Sequence, residues 1–205
     1  WTGADDHFLF DLLFGLLLAA VVLAVVAGKL PRIGRVTGIL VPAMVAGYML
    51  LTAVVLVLHA DQVWPALTLI VRDAFTGEAA AGGVLGAVII TGIRRAAFSN
   101  EAGIGTEAMA HGAARTREPV REGMVAMLGP IIDTLIVCTC TALVILISGA
   151  WSDGDTNGVS LTVNAFNILF LDYSGVILAV LVGVLSLSTV FTFWYYGSKC
   201  LGFLI

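Results

Sequence analysis

An all-α, polytopic membrane protein is the fold class this sequence predicts, on three observations. Of its 205 residues, 60% are hydrophobic and only 12% are charged, where a soluble domain carries about 25% charged residues. Five runs reach or approach the ~20 apolar residues that a spanning helix needs. No run shows the period-2 alternation of a membrane β-barrel strand. The expected surroundings are therefore the lipid bilayer, as a multi-pass protein of the cell membrane. A net charge of −4 argues against a nucleic-acid partner, and no protein partner is expected.

The spans follow in order. Phe8 to Ala27 is the first, with Asp11 near its start. Ile39 to Leu58 is the second, with Pro42 in its first turn, where proline is tolerated. Gly82 to Ala97 is shorter and glycine-rich, and ends on Arg94 and Arg95. The fourth helix is expected near residues 124–149, interrupted only by Asp133. The fifth is expected near 175–194. Together they read as a single transmembrane domain over residues 1–205. The chain opens on Trp1 and closes inside the apolar run Leu201 to Ile205, as expected of a fragment cut at both ends.

Charge supplies the orientation. Basic residues collect in cytoplasmic loops. Lys29, Arg32 and Arg35 fall between spans one and two. Arg94, Arg95, Arg115, Arg117 and Arg121 fall between spans three and four, and Lys199 follows span five. If the spans alternate, nine of the ten basic residues share one face and only Arg72 lies on the other. Loop 28–38 and segment 98–122 are therefore expected to be cytoplasmic.

Three polar features stand out. The third span carries Gly82, Gly83 and Gly86; each glycine costs a helix roughly 1 kcal/mol against alanine. Two readings fit: a broken helix at a transporter binding site, or close packing through small residues. Next, Phe98 to Arg115 reads FSNEAGIGTEAMAHGAAR. Ser99 can cap a helix, Asn100 and Glu101 add side-chain partners, and Gly103 and Gly105 let the backbone turn. This is either an ordinary turn with an amphipathic helix or a gate, and His111 reads as structural. Last, Asp133 is a charge inside a span, costly unless paired. A partner is expected among Arg94, Arg95 and the Ser99-Asn100-Glu101 motif. Cys138, Cys140 and Cys200 read as small apolar residues.

The run FSNEAGIGTEAMAHGAARTREPVREG, followed by IDTLIVCTCTALVI, closely resembles the alanine or glycine:cation symporter family. TGEAAAGGVLGA, the LVP at Leu40 to Pro42 and the later YYG also fit, so the resemblance covers nearly the whole chain. It implies a LeuT-type fold of two inverted five-helix repeats, with these spans corresponding to helices four through eight. It implies sodium-coupled carriage of alanine, glycine or a similar small amino acid, with no cofactor beyond the coupling ion. Gly82, Gly83, Val84, Gly86 and Val88 would border the substrate, as would Thr189 and Phe193. The family usually reads close to FSTxxGWSYYGE where this chain reads LSTVFTFWYYGS; Thr192 replaces the glycine and Phe193 the tryptophan. Leu185, Ser188 and Thr189 would hold sodium: two hydroxyls and a carbonyl are hard oxygen ligands. Spacing alone leaves open that Ser188 and Thr189 only bond back to their own helix. Ser99, Asn100, Glu101, Gly103, Gly105 and Asp133 would serve gating or structure.

Two other classes of function remain compatible with such a sequence. An intramembrane enzyme would have to be built from Asp133, His111 and scattered serines, and the chain lacks HExxH and GxSxG. A channel or structural membrane subunit is the second alternative.

Overall fold

A computed structural model describes residues 8–75, 85–153, 156–170 and 173–205. Every regular element among them is helical. Four helices are long and apolar enough to cross a membrane: α1 (Phe8–Val26), α2 (Lys29–Leu58), α7 (Pro119–Ser148) and α9 (Ser174–Leu204). Between them lie α3 (Ala60–Phe75), α4 (Leu85–Ala97), α5 (Glu101–Ile104), α6 (Glu107–His111) and α8 (Val159–Leu169).

The apolar cores of these helices fall where hydropathy places them, but several ends do not. Residues 29–38, expected as a loop, are helical, because α2 begins at Lys29. Pro31 suits a first turn, and nothing after it stops a helix that protrudes beyond its apolar run. Pro42 consequently sits inside α2 rather than in its first turn. The fourth helix begins at Pro119 rather than near 124, and it stops at Gly149, whose φ of 70° is left-handed. The fifth continues to Leu204, ten residues beyond its expected end. Gly82, Gly83 and Val84 lie outside the described residues, as does any break there; α4 starts at Leu85 and includes Gly86 and Val88.

Helix α3 occupies a stretch that hydropathy leaves between spans. Asp61 in its first turn and Arg72 in its last complement the helix dipole. Helix α7 is one helical run with a turn at Met127 and a π-helical stretch at Ile131–Val137, directly after Pro130. Proline has no N–H to give the ladder, and a π turn is one way a helix absorbs such a defect.

The chain divides into two compact units, residues 1–47 with 180–205, and residues 48–179. In the first, α1 meets α2 through a tight turn. The Arg32 guanidinium donates to the Ala24 carbonyl at 2.8 Å, satisfying one of the free carbonyls at the end of α1. Within this unit α2 and α9 approach at Gly47, where an added Cβ would lie 3.5 Å from Leu181. In the second unit, Cys138–Ser148 of α7 packs on α8 and α3. Its core includes Val55, Leu143, Val144, Ala165 and Phe166, all buried. The Tyr48 and Thr141 hydroxyls hydrogen-bond across it, and the Tyr48 ring meets Phe166 edge-on. Lipid is as apolar as leucine, so such packing and interhelical hydrogen bonds hold membrane helices together. The lipid would cover the outward side chains; Phe8, Leu9 and Phe10 are each about two-thirds exposed.

Candidate functional site

Two polar clusters are described, one in each unit. In unit 48–179, the turn after α4 folds against α7. Asn100 precedes α5 with extended backbone, and its Oδ1 accepts the Gly103 N–H at 3.3 Å. Its Nδ2 donates to Thr134 Oγ1 at 3.0 Å. Ser99 Oγ and Cys138 Sγ lie 3.6 Å apart. The two runs that carry the family resemblance, one around Asn100 and one around Thr134, are thus in contact. Glycine is required twice here. A Cβ on Gly103 would collide with the Ala97 carbonyl, and Gly105 has φ 89°, a region that L side chains rarely adopt.

Beside this contact is a cleft of about 250 Å³ lined by Asn100, Glu101, Glu107, His111 and Asp133 among others. Asp133 therefore shares a cleft with the motif expected to partner it. Among the described residues, no ion pair joins it to Arg94 or Arg95. His111 Nδ1 lies 2.7 Å from Glu122 Oε1 and Nε2 lies 3.7 Å from Glu107 Oε1. The Glu107–His111 pair was visible in the sequence as an i,i+4 spacing. Glu122 and Thr134 were not singled out there, and only the docking of the turn on α7 reveals them.

In the other unit, Leu185, Ser188 and Thr189 bring three oxygens together on α9. The Leu185 carbonyl accepts the Ser188 hydroxyl at 2.7 Å and the Thr189 hydroxyl at 3.0 Å. Ser188 is buried and Thr189 exposed. Thr192 donates to the Ser188 carbonyl at 3.0 Å. Both hydroxyls thus bond back to the helix, as serine and threonine commonly do. The same geometry places three hard oxygens close together, and their lone pairs suit an alkali cation. Phe193 is half exposed and meets Tyr196 edge-on, with ring centroids 6.0 Å apart. Among the described residues, no group of three or more His, Cys, Asp or Glu side chains is placed to hold a metal ion.

A profile of the sodium:alanine symporter family matches residues 4–205. The chain is 38% identical over 197 residues to the sodium/alanine symporter AgcS of Methanococcus maripaludis, covering 95% of this chain and 43% of that protein. It is 36% identical over 196 residues to the "Uncharacterized transporter YflA" of Bacillus subtilis, covering 93% and 42%. It is 34% identical over 193 residues to the "Probable sodium/glutamine symporter GlnT" of the same organism, covering 94% and 40%. The chain thus spans well under half the length of these relatives.

Proposed function

The chain belongs to the sodium:alanine symporter family, and from that premise we propose that the whole protein is a secondary active symporter that carries alanine, glycine or a similar small amino acid into the cell with sodium. The observation that carries this reading is the family match over residues 4–205. The family is one of transporters, so no covalent step is involved. Four long apolar helices fit a multi-pass membrane protein, and the cell membrane is the proposed location. We read residues 1–205 as part of one transporter domain with a LeuT-type inverted repeat, its spans corresponding to helices four through eight.

Sodium would be held by Leu185, Ser188 and Thr189, a reading supported by the two hydroxyl oxygens lying within 3.0 Å of the Leu185 carbonyl oxygen. The amino acid would be bordered by Gly82, Gly83, Val84, Gly86 and Val88, and by Thr189 and Phe193. The test is uptake of labelled alanine, glycine and glutamine by the whole protein in liposomes. Alanine or glycine should accumulate under an inward sodium gradient and fail to do so when choline replaces sodium. Uptake indifferent to sodium would overturn the coupling, and uptake of glutamine alone would overturn the small-substrate reading.

A further inference from the structure

The segment Phe98 to Gly105 is fastened to α7 by a side chain that acts in two directions. The Asn100 oxygen caps α5 at Gly103, while its amide donates to Thr134. A carboxamide offers both an acceptor and donors from one planar group. The rest of the segment has little freedom. Gly103 is pressed against the Ala97 carbonyl and Gly105 is left-handed, so the contact with α7 is the part able to open. Thr134 belongs to the π-helical stretch Ile131–Val137. Such stretches are rare and frequent at functional sites. Asp133, next to Thr134, and Glu101, next to Asn100, line the same cleft.

We infer that Asn100 is a positioning residue of the transport cycle: its carboxamide latches segment 98–105 onto the π-helical stretch at Thr134, and this bond breaks and re-forms as the cleft beside Asp133 opens and closes. The inference rests on the symporter reading for the word transport, and on the hydrogen bond alone for the latch. The Ser99–Cys138 contact at 3.6 Å is the weaker companion, since a thiol is a poor hydrogen-bonding group.

The test combines hydrogen exchange with uptake, using the whole protein in lipid. Thr134→Val withdraws the acceptor and leaves the Asn100 cap and the side-chain shape in place. Amide exchange in residues 99–105 and 131–137 should quicken about fivefold, the population shift of one neutral hydrogen bond. Maximal uptake should fall at least threefold while the KM for the amino acid changes less than twofold. Thr134→Ser, which keeps the hydroxyl, should restore both. Asn100→Ser keeps a capping oxygen but withdraws the amide; it should match Thr134→Val, and the double variant should add nothing further.

Unchanged exchange in Thr134→Val would overturn the latch, as would additive effects of the two variants. Faster exchange with wild-type maximal uptake would reduce the bond to a static staple and overturn its role in the cycle. If the wild-type protein shows no sodium-driven uptake, the symporter reading fails by itself, and the exchange measurements still decide whether the latch exists.

Discussion

Gly103 shows how much one missing side chain can decide. Its Cα lies where any Cβ would strike the Ala97 carbonyl oxygen, a backbone atom that cannot rotate away. Gly103→Ala should therefore destabilise the protein by about 1–3 kcal/mol, as overpacking does. Gly123→Ala, with open space around it, should leave stability unchanged or slightly raised. Thermal unfolding of the whole protein in detergent, followed side by side for the two variants, checks this. On α9, the shared Leu185 carbonyl makes a second prediction at this scale. Ser188→Ala combined with Thr189→Val removes both hydroxyls and should raise the sodium concentration for half-maximal uptake at least several-fold. An unchanged sodium dependence would remove the proposed cation site from α9.

Helix ends, rather than helix cores, carry the local information at the scale of elements. The start of α9 is capped from a distance by Asn167 on α8: its Oδ1 accepts the Gly175 N–H at 2.8 Å and the Ser174 hydroxyl at 3.2 Å. Gly175 is buried, so loss of this acceptor leaves its N–H without water. Asn167→Ala should cost about 1–3 kcal/mol, and Asn167→Asp, which keeps an acceptor oxygen, should cost less; the difference between their melting temperatures is the readout. No hydropathy window finds such a cap, because Asn167 lies eight residues from Gly175 and on a different helix. The π-helical stretch of α7 was equally hidden. Pro130 is visible in the sequence, but whether a proline kinks a helix, ends it or widens one turn depends on what packs beside it.

For the whole molecule, the distribution of basic residues predicts the sidedness. Arg117 lies between α6 and α7, and Arg35 lies in the first turns of α2. Cysteine placed at either position, in a protein with no other reactive cysteine, should resist impermeant thiol reagents applied outside intact cells and react once the membrane is opened. Labelling from outside would invert the orientation. That Arg35 is helical rather than looped does not alter this expectation, since a helix can protrude past the hydrocarbon layer it crosses.

The sequence by itself determined the membrane class, the apolar cores of the long helices and the family. Each depends on properties that add up locally along the chain: transfer energies of consecutive side chains, and short runs of specific residues. It did not determine which polar groups meet. Asn100 finds Thr134 at a separation of 34 residues, and Tyr48 finds Thr141 at 93. A polar group away from water must be satisfied inside the protein, so the need for a partner is legible at each such residue. The identity of that partner is set by which helices pack together, and only the tertiary structure decided that.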